Sequence, residues 1–139
     1  PVALYNLMIS LGHPCPFGEV ITAFEKTNHC VLMDWLGLEF VNGISRRGFG
    51  RAMNELGLSY IGTNDINMVK NLSVPISYVV LFKNSDGWFS SEHFVAIDYD
   101  GNIFRVYNRW SNSPTYKEYN SLEEAIGGEG RFHYAYIPS

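Results

Sequence analysis

Residues 92–110 read Glu-His-Phe-Val-Ala-Ile-Asp-Tyr-Asp-Gly-Asn-Ile-Phe-Arg-Val-Tyr-Asn-Arg-Trp. Residues 93–99 are rich in aromatic and β-branched types, with Phe94, Val95, Ala96 and Ile97 in succession. In residues 103–107, Ile103, Phe104, Val106 and Tyr107 surround Arg105. Between the two runs lies Asp100-Gly101-Asn102, a tight-turn signal, because Gly and Asn accept positive φ at little cost. The stretch therefore predicts a β-hairpin folded about Gly101. Folding there brings His93, at one outer end, opposite Asn108 at the other. An imidazole oriented by an Asn side chain is half of a nucleophilic site. The missing half is a thiol or hydroxyl upstream, at the start of a helix.

Working outward, the strongest helix signal begins at Cys15-Pro16. Pro suits the first helical position, where its missing N–H costs nothing. Phe17, Val20, Ile21 and Phe24 then recur at the spacing of one buried helical face. Glu19 and Lys26 lie at the helix ends that their charges favour. Residues 30–36 read as a second short helix, 38–41 as a brief strand-like piece and Asn42-Gly43 as a turn. Ser45 is placed to cap a helix over 46–56, stopped by Gly57. Residues 58–61 read as a strand and 65–71 as a short helix. Residues 76–82, Ile-Ser-Tyr-Val-Val-Leu-Phe, form the most β-like run and predict a central strand. Residues 84–87 read as a turn and 111–115 as a loop. A short helix over 122–126 follows Asn120-Ser121, and residues 132–137 form a last strand. Residues 1–11 are apolar without a clear period and read as a short strand or an N-terminal arm. Helices first and mostly antiparallel strands after predict an α+β fold, an N-terminal helical half packed on a C-terminal sheet.

Composition narrows the function. Hydrophobic residues make up 46% of the 139, enough for one substantial core, and no linker interrupts them, so residues 1–139 read as one domain. Net charge is −4 and the basic residues do not cluster beyond Arg46-Arg47. That speaks against a phosphate-tracking surface, so no nucleic-acid partner is expected. No apolar run is long enough to cross a membrane. Two cysteines make no disulfide framework and suit a reducing compartment, here the cytoplasm.

Cys15, just before a helix, feels the positive end of the helix dipole, which favours the nucleophilic thiolate. The constellation read from the sequence is Cys15 as nucleophile, His93 as acid and base, and Asn108 as orienter. Cys30 is the rival nucleophile. His13-x-Cys15 and His29-Cys30 lack the spacing of a zinc knuckle, so no metal and no cofactor are expected. Asp98 and Asp100 share a strand face beside Gly101 and read as turn-forming surface groups. Trp110, beside Asn108, is in a position to shield the His–Asn pair.

The order Cys, His, Asn, with the thiol on a helix and the others on strands, is the papain-like arrangement. Within it the chain resembles the bacteriocin-processing peptidase family, peptidase C39. That family has Cys-Gly-Pro before an apolar helix; here Cys15-Pro16-Phe17-Gly18 precedes Val20-Ile21-Thr22-Ala23-Phe24. Its Gly-Thr-Ser entry to a second helix and the closing Leu-Gly-Leu are matched by Asn42-Gly43-Ile44-Ser45 and Leu56-Gly57-Leu58. Its His-Phe-Val-Val and Asp-Pro are matched by His93-Phe94-Val95-Ala96 and Tyr107-Asn108-Arg109. The resemblance implies a cysteine peptidase or amidase acting on a peptide or protein substrate, with a leader peptide as the family's substrate. Two departures stand out. Pro16 follows the thiol where the family has Gly, and the family's oxyanion-binding Gln has no counterpart, because the chain contains no Gln. Beside the peptidase stand two alternatives: an inactive domain that binds a peptide or partner, and an acyl or amine transferase using the same triad.

Overall fold

The computed structural model describes residues 1–27, 44–84, 92–109 and 116–139. The helix expected over 30–36, the strand-like piece at 38–41, the turns at 42–43 and 84–87, the loop at 111–115 and Cys30, Trp35, Trp88 and Trp110 lie wholly or partly outside these residues.

The fold is α+β. In chain order the elements are α1 (Val2–Ser10), α2 (Phe17–Thr27), α3 (Arg46–Glu55), β1 (Tyr60–Thr63), α4 (Ile66–Lys70), β2 (Ile76–Lys83), β3 (Glu92–Tyr99), β4 (Phe104–Tyr107), β5 (Tyr116–Tyr119), α5 (Leu122–Ile126), a 3₁₀ turn (Glu129–Arg131) and β6 (Phe132–Pro138). The six strands form one sheet in the order β1-β6-β2-β3-β4-β5, with every neighbouring pair antiparallel.

β2 lies inside the sheet, and Ser77 to Phe82 are all buried. Alternate residues serve different layers. Val79 packs with Ala96 and Tyr136 against α1, α2 and α3. Tyr78, Val80 and Phe82 pack with Val95, Ile97, Val106 and Ala135 on the other face, against α4 and α5. A strand covered on both faces carries apolar residues at successive positions instead of alternating, as residues 76–82 do. The N-terminal helices α1, α2 and α3 are therefore gathered on one face, as the sequence order predicts, and the later α4 and α5 cover the other.

Local signals act as the sequence predicts at α3. Ser45 Oγ accepts from Gly48 N–H at 3.0 Å, and Gly57 at φ +81° ends the helix while Leu58 N–H reaches back to the Met53 carbonyl. Ser121 caps α5 by accepting from Glu124 N–H. Three readings change. Residues 2–10 are a helix, not a strand or arm. Ala3, Leu4, Leu7 and Met8 are buried, and a helix apolar nearly all round shows no amphipathic period from which to recognise it. The strand expected at 58–61 is β1, shifted to Tyr60–Thr63. β5 has no forerunner in the sequence reading, because an edge strand reading Tyr-Lys-Glu-Tyr is largely exposed and carries little apolar signal. On α2, Val20, Ala23 and Phe24 are buried, but Phe17 is 42% exposed and lies edge-on to Tyr5.

The aromatic centre of the first layer is Phe49 of α3, 1% exposed. Its ring stacks on Phe94 at 4.5 Å and meets Phe24 and Tyr136 at 5.7 and 4.9 Å. Phe49→Ala removes all of these contacts and leaves a cavity between helix and sheet. The expected loss is about 3–5 kcal/mol in chemical denaturation, larger than for any exposed position such as Ile61→Ala.

Candidate functional site

β3 and β4 pair with Ala96 opposite Tyr107 and Tyr99 opposite Phe104, so the ladder ends at Tyr107. Asp100 builds the turn: its carboxylate accepts from Asn102 and Ile103 N–H, which holds its pKa below the usual carboxylate value. Asp98 accepts from Ser77 Oγ. The two acids are thus structural groups of the hairpin and its neighbour.

Asn108 follows the last ladder pair. It is the only described non-glycine residue at positive φ, +56°, a conformation that Asn tolerates better than most residues. There its main-chain carbonyl meets His93 Nε2 at 3.0 Å. The structure joins these two residues, but through the backbone and not through the Asn108 amide. A carbonyl only accepts, so Nε2 carries the proton. In the neutral ring Nδ1 is then the bare, basic nitrogen. Nδ1 has no hydrogen-bond partner among the described residues. The imidazole is half-buried and stands edge-on to Phe82, its partner across β2 and β3, at 5.9 Å.

Sequence reasoning did not single out Arg109, which anchors this corner. It is 4% exposed. Its Nε donates to the Ala125 carbonyl of α5 at 2.8 Å, a terminal nitrogen donates to Asn84 Oδ1 at 2.9 Å, and its guanidinium lies 4.7 Å over the Phe82 ring. The chain just after Asn108 is therefore pinned to the α5 layer, and Phe82 contacts both Arg109 and His93. An Arg directly after a strand in a chain with few charges was the available signal.

Cys15 stands apart. It packs, half-buried, with the layer formed by α1, α2 and α3. His93 pairs with Phe82, which belongs to the opposite layer. The neighbour of His93, Phe94, is the residue that faces Phe49 and the Cys15 side. No hydrogen bond links Cys15 to His93 or Asn108. Burial pushes the Cys15 thiol up, and the Glu19 carboxylate nearby adds to the rise, against the lowering expected from the helix terminus. The sequence's three-residue constellation is thus two residues in contact and a third on the other side of the sheet. Among the described residues no group of three or more His, Cys, Asp or Glu side chains is assembled to hold a metal, and no helix is long and apolar enough to cross a membrane.

Three outcomes follow from this geometry. Asn108→Gly keeps the carbonyl and relaxes the positive φ, so the His93 ring should retain its Nε2–H tautomer in ¹⁵N imidazole spectra. Arg109→Lys loses the fork and should cost roughly 1.5–3 kcal/mol, the value of a hydrogen bond to a charged group, and should mobilise that ring. For Cys15, a raised pKa means that the thiolate forms only at higher pH. Its alkylation midpoint should lie above that of a free thiol, and Glu19→Gln should bring it down. A midpoint below the free-thiol value would contradict the placement of Cys15.

No family model matches the chain, and no curated protein matches it either, so its chemistry is read from its own residues.

Proposed function

We propose that the chain is a papain-like domain of the C39 kind, a cysteine peptidase or amidase in which His93 shuttles the proton and residue 108 fixes the imidazole. The observation that carries this is the 3.0 Å contact between His93 Nε2 and the Asn108 carbonyl, offered by a residue at positive φ beside a buried Arg. Such an arrangement leaves one ring nitrogen fixed as a donor and the other open to a thiol and substrate. Uncommon backbone conformations held in place by their surroundings cluster at functional sites.

In the reaction a thiolate attacks the carbonyl carbon of a peptide. The C–S bond forms, and the imidazolium gives its proton to the departing amine as the C–N bond breaks. The imidazole then takes a proton from water, which attacks the thioester. The acid is released and the thiol restored. The geometry favours His93 and Asn108 for these roles more than it favours Cys15. The chain's other thiol, Cys30, is then the candidate nucleophile. The substrate is a peptide or protein, no cofactor is required, and the two-cysteine composition accords with a cytoplasmic setting.

A second reading, a papain-like domain that binds a peptide or partner without hydrolysing it, is favoured by a specific observation. The thiol at the start of α2, Cys15, lies across the sheet from His93 with a raised pKa, and the chain has no Gln to bind an oxyanion. Losing one such donor costs roughly 10²–10³ in rate.

Alkylation of each cysteine by iodoacetamide as a function of pH, read by peptide mass spectrometry, separates the two readings. The peptidase reading expects one thiol with an apparent pKa well below the ordinary value of roughly 8.5, restored to ordinary by His93→Ala. With Cys15 behaving as a buried thiol, that thiol is Cys30. Two thiols indifferent to His93→Ala would overturn the hydrolytic reading and leave the binding domain.

A further inference from the structure

Away from the His93 corner, where the start of α3 meets β1 and β6, the surface is indented by a cleft of about 450 Å³. Ser45, Arg46, Arg47, Tyr60, Tyr134 and Tyr136 line it. The aromatic walls are held closely: Tyr134 and Tyr136 lie 5.1 Å apart edge to face, and Tyr60 lies 5.4 Å from Tyr136. The Tyr136 hydroxyl donates to the Arg46 carbonyl at 2.6 Å and ties the helix to the sheet there. Two glycines admit the other two hydroxyls. A Cβ at Gly50 would come within 1.9 Å of the Tyr60 oxygen, and one at Gly62 within 2.1 Å of the Tyr134 oxygen. The two tyrosines keep these positions because any side chain at either glycine would collide with a hydroxyl.

Arg46 lies 5.0 Å over the Tyr134 ring, but neither Arg46 nor Arg47 has a carboxylate partner among the described residues. Elsewhere Lys26, Lys70 and Arg105 are paired with acids, while Lys83 and Lys117, like the two arginines, have no carboxylate partner among the described residues. Among the described residues no acid lines the cleft, although the chain as a whole carries a net charge of −4. The Tyr60 and Tyr134 hydroxyls likewise have no hydrogen-bond partner among the described residues. Two guanidinium groups and two phenol hydroxyls without a described hydrogen-bond partner, around aromatic walls, make a receptor for an oxyanion. Guanidinium forks match carboxylate and phosphate oxygens, and ring faces accept a planar apolar body. The volume falls in the range of small-molecule sites, roughly 300–1,000 Å³, and exceeds what an oxyanion alone fills.

We infer that this cleft binds a small organic oxyanion, a carboxylate or phosphate carried on a planar apolar body, held by Arg46, Arg47 and the Tyr60 and Tyr134 hydroxyls. This site is separate from the His93–Asn108 corner and does not depend on the chain being a peptidase.

The test is an NMR titration of the isotopically labelled chain with four probes: benzoate, phenyl phosphate, inorganic phosphate and benzyl alcohol. The Arg46 and Arg47 amides and the Tyr60 and Tyr134 ring signals are followed. Saturable shifts with benzoate or phenyl phosphate support the site, and the tighter of the two identifies the head group. The double variant Arg46→Gln, Arg47→Gln should weaken that probe at least tenfold with its remaining spectrum unchanged, since both side chains are exposed. Tyr134→Phe, which keeps the ring and removes the hydroxyl, should weaken it by a smaller factor. Shifts that never saturate, or binding that survives the double variant, would overturn the inference. Benzyl alcohol binding as well as benzoate would remove the oxyanion from it. Inorganic phosphate binding as tightly as phenyl phosphate would remove the apolar body.

Discussion

An eight-residue strand with six successive buried side chains has to be covered on both faces, and the rest of the structure answers to that requirement. Val79 looks toward α1, α2 and α3, while Tyr78, Val80 and Phe82 look toward α4 and α5. Each buried side chain of this kind contributes roughly 1.5–3 kcal/mol relative to exposure, so an uncovered face would forfeit several such contributions. α1 buries one face, Ala3, Leu4, Leu7 and Met8, in the first layer. The shorter α4 and α5 suffice on the second, where Leu122, Ala125 and Ile126 are buried beside Val69. The short strands β1 and β5 occupy the sheet edges, where short length limits further pairing.

The second layer also contains a charge. Burying a guanidinium is costly unless its hydrogen bonds are made, and Arg109 makes them to the Ala125 carbonyl and to Asn84 while lying over Phe82. A residue so constrained transmits its position to its neighbour. Asn108 is held where its backbone is left-handed and its carbonyl faces the His93 imidazole. One aromatic ring, Phe82, borders both the cation and the imidazole. The chemistry at this corner therefore rests on the packing of α5 against the sheet.

The pleat then separates what the chain order brings together. Side chains at successive strand positions point to opposite faces, so His93 shares a layer with Phe82, and Phe94 shares one with Phe49. Cys15, entering α2, belongs to the layer of Phe94. The Arg46–Arg47 cleft, bounded by Tyr134 and Tyr136 of β6, also belongs to that first layer, so the two candidate sites sit on different faces of one sheet.

Much of the architecture is written in local signals. Ser45 and Gly57 bound α3, Ser121 opens α5, Gly101 turns the β3–β4 hairpin, and the unbroken apolar run of residues 76–82 marks the central strand. Each acts through its nearest neighbours, by a capping hydrogen bond, a positive φ or a side-chain period, and so can be read without the fold. The closeness of His93 to Asn108 was legible for the same reason, since a hairpin of known turn sets which residues meet. Its form was not: the side chain of Asn108 was expected to make the contact, and the ladder ends one residue too soon, leaving the carbonyl to do it. α1 lacked a period because apolar Val2 and Ile9 lie on its exposed side as well as apolar residues on its buried one, and β5 lacked an apolar signal because an edge needs none. The role of Arg109 depends on α5, which lies sixteen residues further on. The layer to which Cys15 belongs depends on how α2 packs, and no local pattern around the thiol encodes that. The sequence by itself determined the inner strands, the caps and the hairpin. Only the tertiary structure decided which side chains share a face, because that choice is made by burial between segments far apart in the chain.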